Sequence, residues 1–210
     1  MSAMTRIDRR DFGIALAAMT LVVLASNILV QYPFGHLNLE NYLTWGAFTY
    51  PFSFLITDLS NRRFGSAGAR RVVYAGFVLA VLLSVALATP RIAIASGAAF
   101  LVAQLLDIRI FAKLRDRAWW LPPFVSSVIS SALDTAIFFS VAFYCGPVPG
   151  VGITISDLLG AVGIADACVA LPWTNLALAD YGVKLLLAAL SIAPYGAILM
   201  VMRRPAAQRA

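Results

Sequence analysis

Long apolar stretches, separated by short polar segments, fill most of this 210-residue chain. Each stretch is close to the roughly 20 residues that a helix needs to span a lipid bilayer. No internal repeat, low-complexity tract or soluble domain is visible between them. The pattern therefore predicts an all-α polytopic membrane protein, embedded in the lipid bilayer, with six transmembrane helices at Phe12–Val30, Tyr42–Leu59, Val72–Ala88, Ile92–Phe111, Leu121–Tyr144 and Leu176–Met202.

Composition and the placement of charge support this prediction. Hydrophobic residues make up 61% of the chain and charged residues 12%, whereas a soluble domain is about 25% charged. Fourteen of the sixteen Lys and Arg residues fall in segments that six helices place on one side, namely Arg6, Arg9, Arg10, Arg62, Arg63, Arg70, Arg71, Arg109, Lys113, Arg115, Arg117, Arg203, Arg204 and Arg209. The positive-inside rule makes that side cytoplasmic, with both termini inside. The net charge of +6 thus indicates orientation, and we expect no nucleic-acid partner.

The connecting segments define the predicted domain organisation. A six-helix transmembrane domain covers residues 12–202, between cytoplasmic tails at residues 1–11 and 203–210. The short basic segment at residues 61–70 contains glycine and is predicted to be the loop after the second helix. Thr89-Pro90-Arg91 is so short that the third and fourth helices must form an antiparallel hairpin.

Residues 146–173 are the segment that is hardest to assign, because they contain an apolar run together with Asp157 and Asp166. A seventh span there would place the C-terminal arginines outside the cell, against the charge rule. We interpret the segment as external, with a short helix after Ser156 that lies on the membrane surface or over the outer opening.

Ionisable side chains within or at the ends of the apolar stretches are the first indication of function. A charge at bilayer depth costs at least about 2.5 kcal/mol, so its retention indicates a pathway, a binding site or a paired neighbour. At 100° per residue the polar side chains of each helix fall on one face. These faces carry Asn27 in the first helix; Tyr50, Phe54, Thr57, Asp58 and Asn61 in the second; Gln104 and Asp107 in the fourth; Ser127, Ser130, Ser131 and Asp134 in the fifth; and Asp180 and Lys184 in the sixth. They predict a polar cavity among the helices, which favours transport.

Structural explanations compete with function for several of these residues. Asp180 and Lys184 are spaced i,i+4 with the acid first, which suits an ion pair within the helix as well as it suits a substrate site. Two other acids have basic residues close by along the chain, Arg62 or Arg63 for Asp58 and Arg109 or Arg115 for Asp107. Such pairs would be structural.

Asp134 differs from the other acids because no cation lies within one helical turn of it. We therefore expect it to be functional or protonated. Asp134 and Gln104, both without local partners, are predicted to contact the hydrogen-bonding edge of a ligand. The serines of the fifth helix are interpreted as small residues that allow close helix packing.

The inventory of cysteine and histidine argues against catalysis. His36 lies outside the spans, and neither a metal cluster nor a Cys–His nucleophile can be assembled within them. We expect no enzyme activity, no catalytic residue, no metal and no cofactor. Cys145 and Cys168 both fall on the external, oxidising side, where a disulfide would limit motion of the segment between them. The interpretation that we favour is two unrelated small apolar residues.

The chemistry of the predicted cavity fits a planar, nitrogen-rich molecule, although it also fits other polar solutes. A carboxylate can accept two N–H bonds from a guanine-like edge, an amide pairs with a carbonyl and a ring nitrogen, and aromatic rings stack on the faces. The stacking rings are expected among Trp45, Phe48, Tyr50, Phe52 and Phe54.

Four separated motifs resemble those of the queuosine precursor transporters of the vitamin uptake transporter family. They are the segment from Leu43 to Asn61 with Thr49-Tyr50-Pro51 and Thr57-Asp58, Ala103-Gln104-Leu105-Leu106-Asp107, Ser126-Ser127 through Asp134-Thr135, and Asp180-Tyr181-Gly182-Val183-Lys184. The resemblance implies import of the 7-deazaguanines preQ0 and preQ1 across the bacterial inner membrane. It places the substrate at Asp58, Asn61, Gln104, Asp107, Asp134, Asp180 and Lys184.

Three other functions are compatible with a six-helix membrane protein. The chain could be the substrate-binding subunit of an ATP-driven uptake complex, with the ATPase module on another chain because no Walker motif is present. An intramembrane enzyme needs a nucleophile–base pair at depth. A membrane scaffold has no need of unpaired carboxylates. A homodimer and a separate ATPase partner both stay open.

Overall fold

The computed structural model describes residues 9–29, 32, 34–35, 43–87, 90–163 and 173–203, with only the backbone given for residues 84–87 and 203. These residues form helices α1 (Arg9–Leu29), α2 (Gly46–Thr49), α3 (Phe52–Leu87), α4 (Pro90–Leu114), α5 (Leu121–Phe143), α6 (Ile155–Ala161) and α7 (Trp173–Arg203). Five elements, with α2 and α3 taken as one, are long and apolar enough to cross a membrane. His36, Asp166, Cys168, residues 1–8 and residues 204–210 lie outside the described residues.

A single glycine divides α3 into two spans. An unbroken helix of its 36 residues would be about 54 Å long, well beyond a hydrocarbon core of about 30 Å. Gly65 has φ 73° and ψ 176°, a conformation that is essentially restricted to glycine. The chain turns back at this residue, so residues 52–64 and 66–87 form separate spans. The loop predicted at residues 61–70 is wrong, because helix continues up to Gly65 and resumes directly after it.

Packing partners establish the direction of each span. In antiparallel spans a higher residue number in one span contacts a lower number in the other, whereas in parallel spans both numbers rise together. The first half of α3 is parallel to α4, as shown by Thr57–Gln104 and Asn61–Ile108. The other pairs are antiparallel: Asp11–Arg63 and Ser26–Thr49; Phe77–Gly97 and Gly76–Phe100; Asp58–Ser126 and Tyr50–Asp134; and Trp119–Gly196 and Asp134–Lys184. Six alternating spans place the start of α1 and the end of α7 on the same face.

This architecture confirms the predicted all-α membrane fold and the antiparallel hairpin of α3 and α4. The face that holds both helix ends also carries Arg62, Arg63 and Arg115. Its assignment to the cytoplasm remains a prediction from the distribution of charge.

Close packing of α1, the second half of α3 and α4 forms the main apolar core. Met19, Val72, Val73 and Phe100 are buried there. At Gly76, an added Cβ would lie 2.7 Å from the Met19 side chain, so the absence of a side chain permits this approach. Outward-facing residues of the same spans and of α7 are exposed and apolar, among them Leu21, Val78, Leu82, Leu186 and Leu190, as a lipid-facing surface requires.

The end of the bundle opposite the arginine-rich face is tied together by Arg91, the first cation of α4. Its guanidinium donates to the carbonyl oxygens of Val141 at 2.8 Å and Tyr144 at 2.6 Å, and to Ser156 Oγ at 3.1 Å. The carbonyls at the C-terminus of α5 thereby gain a charged donor. The sequence indicated Arg91 only as part of the short connection before the fourth helix, yet its side chain is buried.

The segment after α5 contains the predicted short helix, α6, which begins at Ile155 rather than after Ser156. Thr154 and Asp157 form a reciprocal capping box at its start. Hydrogen bonds from the Thr154 backbone and hydroxyl groups lower the pKa of Asp157 from its ordinary value. With seven residues α6 is too short to span a bilayer, so residues 146–163 contain no seventh span.

Cys145, at the end of α5, is disulfide-bonded. Cys168 is the only other cysteine in the sequence. The interpretation of two unrelated apolar residues is therefore wrong.

Candidate functional site

A buried charge network joins α5 and α7 to Tyr50, which lies between α2 and α3. Lys184 Nζ donates to Asp134 Oδ2 at 2.7 Å, to Asp180 Oδ2 at 2.5 Å and to Thr135 Oγ1 at 3.0 Å. Tyr50 donates its hydroxyl to Asp134 Oδ1 at 2.9 Å, and the ammonium lies 5.6 Å from the centre of the Tyr50 ring. One cation thus satisfies two carboxylates from different helices.

The network confirms one sequence-based explanation and corrects another. Asp180 and Lys184 do form the expected i,i+4 ion pair. The premise that Asp134 is unpaired is wrong, because Lys184 reaches it from α7. Residues within one helical turn of Asp134 do not include this cation, because Lys184 is 50 residues away in sequence.

Gln104 also has partners that its own helix does not provide. Its amide oxygen accepts a 2.6 Å hydrogen bond from Thr57, and its amide nitrogen donates to Ser53 Oγ at 2.8 Å. All three side chains are fully buried between α3 and α4. The premise that Gln104 lacks partners is therefore wrong, and these bonds hold the two helices in register.

A second acidic cluster lies closer to the arginine-rich face. Asp58 accepts hydrogen bonds from Ser126 at 3.1 Å and from Ser127 at 3.4 Å. The carboxyl group of Asp107 lies beside that of Asp58. Ser126 and Ser127 therefore do more than allow close packing, because they supply donors to a buried carboxylate.

The structural pairings proposed for these two acids are wrong. Arg63 pairs with Asp11 at 2.6 Å, and Arg62 donates to the carbonyl of Arg115. Arg115 binds the backbone oxygen of Asn61 and its side-chain oxygen. Within the described residues neither Asp58 nor Asp107 forms a salt bridge with these arginines, since the guanidinium groups are directed to other partners. The predicted pair of Asp107 with Arg109 is not formed either, because both carboxyl oxygens of Asp107 lack a partner there.

Asn61 and Asn27 are likewise held by local contacts. The Asn61 amide donates to the backbone oxygen of Ile108 at 2.9 Å, which links the arginine-rich ends of α3 and α4. The Asn27 amide donates to the backbone oxygen of Val23 in its own helix. Neither residue lies on the wall of the cavity described next.

A narrow cavity lies between the first half of α3, α5 and α7. The space enclosed by its walls is about 10 Å³, room for about one water molecule. The wall is formed by Pro51, Phe54, Leu55, Asp58, Pro123, Ser127, Ser131, Lys184, Ala188, Ser191 and Ile192. It joins the two polar clusters, because Asp58 belongs to one and Lys184 to the other.

The structure therefore brings some predicted site residues together and separates others. Phe54, Asp58 and Lys184 line the cavity, and Tyr50, Asp134 and Asp180 support Lys184 from behind. Gln104, Asn61, Asn27 and Asp107 lie off the wall. Thr135 and Ser126 were missed. Each is adjacent in sequence to a predicted site residue, Thr135 to Asp134 and Ser126 to Ser127, and this adjacency could have indicated them.

The candidate stacking aromatics separate in the same way. Phe54 is 2% exposed and faces the cavity, whereas Trp45 and Phe52 are each 41% exposed. Phe48 packs against Phe34, with ring centroids 4.9 Å apart. Phe54 is thus the one member of the predicted set on the cavity wall.

Comparison with known proteins identifies the family of this chain. Residues 44–89 and 82–198 match the protein family described as "Putative vitamin uptake transporter". The chain is 35% identical to the "Queuosine precursor transporter" of Escherichia coli (strain K12), over 88% of this chain and 85% of that protein. It is 34% identical to the "Probable queuosine precursor transporter" of Haemophilus influenzae, over 87% and 84% respectively. No solved structure matches it significantly. The resemblance found in the four motifs is confirmed, and the chain belongs to the vitamin uptake transporter family.

Proposed function

We propose that this protein imports 7-deazaguanine precursors of queuosine, such as preQ0 and preQ1, across the bacterial inner membrane. The observation that carries the proposal is the similarity, over most of the chain, to relatives named for queuosine precursor transport. The cavity between α3, α5 and α7 offers an aromatic ring and polar side chains suited to such a base, and in this proposal it widens to admit one. In this proposal the protein is a transporter and has no catalytic role.

The base is bound between an aromatic ring and the polar side chains of the cavity wall. Phe54 offers a face for stacking, which is worth about 1–3 kcal/mol per base. Asp58 accepts the paired N–H groups of a guanine-like edge. The hydroxyl groups of Ser127, Ser131 and Ser191 are available to the remaining donors and acceptors of the ligand.

The charge network fixes the position of the opposite wall. Two carboxylates hold the ammonium of Lys184, so its geometry is set before a ligand enters. Such preorganisation reduces the entropy lost on binding. In this arrangement Asp134, Asp180 and Tyr50 act on the substrate through Lys184, and Gln104, Asn61, Asn27 and Asp107 act through helix packing or through Asp58.

Uptake in bacteria that cannot synthesise queuosine precursors tests the proposal. Cells that express the protein and receive preQ0 or preQ1 should regain queuosine in their tRNA, measured by mass spectrometry of nucleosides. Phe54→Ala should lower the apparent affinity by about 5- to 150-fold, as loss of 1–3 kcal/mol of stacking requires. Phe52→Ala is the matched control, because Phe52 is 41% exposed and two residues away.

The same experiment has outcomes that contradict the proposal. Expression of the protein without any gain in queuosine would exclude the substrate class. Equal effects of Phe54→Ala and Phe52→Ala would remove the base from this cavity. Uptake that depends on a copurifying ATPase chain would favour a binding subunit of an ATP-driven complex.

A further inference from the structure

Two carboxyl groups meet inside the bundle without a cation to separate them. Asp58 and Asp107 lie within hydrogen-bonding reach of each other, at 1% and 0% exposure. Ser126 and Ser127 donate to Asp58, whereas both oxygens of Asp107 lack a hydrogen-bond partner among the described residues. Two ionised carboxylates in contact repel each other, most strongly where water is excluded. A proton between them replaces this repulsion with a hydrogen bond.

The charged groups on the neighbouring helices are directed elsewhere. On α3, Arg62 donates to the Arg115 backbone, and Arg115, after α4, binds Asn61. The two groups contributed by α5 are hydroxyls. From α7, Lys184 faces the same cavity as Asp58 but donates to Asp134 and Asp180. Within the described residues no cation is therefore directed at the second carboxylate, and a bound proton would neutralise it.

We infer that Asp58 and Asp107 form a proton-carrying site that couples import to the proton gradient, an inference that rests on the proposed function. One proton binds to the pair from the external side and is released to the cytoplasm as one base is carried inward. No bond of the base is made or broken. Asp58 lies on the cavity wall, so the proton and the base are bound side by side. Binding of the proton by Asp58 and Asp107 therefore changes the charge that the base contacts.

The geometry favours a proton over a metal ion. The carboxyl groups lie within hydrogen-bonding reach of each other, whereas a cation would need to stand between them with several oxygen ligands around it. Both serine hydroxyls already donate to Asp58. A shared proton requires only the two carboxyl groups within this reach.

Infrared spectroscopy tests the proton without any substrate. Purified protein in lipid should show the carbonyl stretch of a protonated carboxylic acid, which is lost on going to high pH and absent in Asp107→Asn. The matched control is Asp116→Asn, at an exposed position between α4 and α5, which should keep the signal. A wild-type spectrum without an Asp107-dependent signal would overturn the inference, whatever the substrate.

Transport in proteoliposomes tests the coupling. With the interior one pH unit more alkaline, one proton per neutral base supports about tenfold accumulation of preQ0, abolished by a protonophore. Asp107→Asn should lose this accumulation but retain exchange of internal for external preQ0, which also shows that the variant is folded. Proton-driven accumulation by Asp107→Asn, or accumulation that requires Na⁺ in place of a pH gradient, would overturn the coupling. Absence of any exchange by the wild type would instead refute the proposed function, with the infrared signal still deciding the proton site.

Discussion

Replacement of Lys184 by methionine should be among the most destabilising changes in the bundle. Methionine keeps most of the length of the side chain but removes the ammonium that binds both Asp134 and Asp180. Removal of one partner from a buried ion pair typically costs about 3–5 kcal/mol, because the remaining charge is left uncompensated. Here two carboxylates lose the same cation. For a chain of this size that cost corresponds to a fall in Tm of about 6–20 °C.

Asp134→Asn is the informative comparison. It leaves Lys184 paired with Asp180 and weakens one charged hydrogen bond, worth about 1.5–3 kcal/mol. Thermal unfolding in detergent should therefore rank Lys184→Met below Asp134→Asn. The double variant should be more stable than Lys184→Met alone, because it leaves one uncompensated carboxylate instead of two.

Strict additivity would refute this reasoning. Suppose that Asp134→Asn lowers Tm by the same amount in the Lys184→Met background as it does alone. The two groups would then not interact energetically. Phe52→Ala, at an exposed position on α3, controls for the effect of a substitution that touches neither charge. Exchange of preQ0 measured on the same samples separates loss of fold from loss of binding.

Three further outcomes are expected. Gln104→Leu removes the hydrogen-bond partner of Thr57 and Ser53. It should lower Tm, because each unsatisfied buried hydroxyl costs about 1–3 kcal/mol of stability, and should leave the substrate affinity of the folded protein nearly unchanged. A selective loss of affinity would return Gln104 to the binding site. Gly65→Ala should lower Tm through backbone strain of about 1–3 kcal/mol, because the space around an added Cβ is open and no clash contributes. An unchanged Tm would mean that the turn does not require φ near +73°. Thiol counting on the unreduced, denatured protein should find no free thiol and, after reduction, two; two free thiols before reduction would exclude the Cys145 disulfide.

The number and direction of the spans were predictable because both follow from properties that are local in sequence. Apolar length determines whether a helix crosses the bilayer, and the distribution of arginine indicates which ends lie together. The turn at Gly65 was not predictable in the same way. Residues 61–70 have the polar composition of a loop. Polarity, however, requires only that they lie outside the hydrocarbon core, and it does not prevent them from being helical. Helix can therefore continue on both sides of one residue that tolerates positive φ.

The candidate site shows the opposite limit. Helical periodicity correctly indicated that Asp134, Asp180 and Lys184 face the interior, but a face does not specify its partner on another helix. Asp134 therefore looked unpaired, and Asp58 looked available to the nearest arginines along the chain. Helix packing reverses both conclusions, because Lys184 approaches Asp134 from α7 while Arg63 turns to Asp11.

The contrast between the two acidic clusters suggests why one chain keeps both. Ser127 and Asp134 mark their positions on α5 and are seven residues apart, which is about 10 Å along the helix. At the Asp134 end the carboxylates are committed to an ammonium, and such a pair has a fixed geometry at neutral pH. At the Ser127 end two carboxyl groups lie beside serine hydroxyls and form no salt bridge within the described residues, so in the proposed mechanism their charge changes with a bound proton. Since the cavity wall contains Lys184 and Asp58, a base bound there contacts one group whose charge is constant and one whose charge varies. In the proposed mechanism the first group positions the substrate and the second links its passage to the proton gradient.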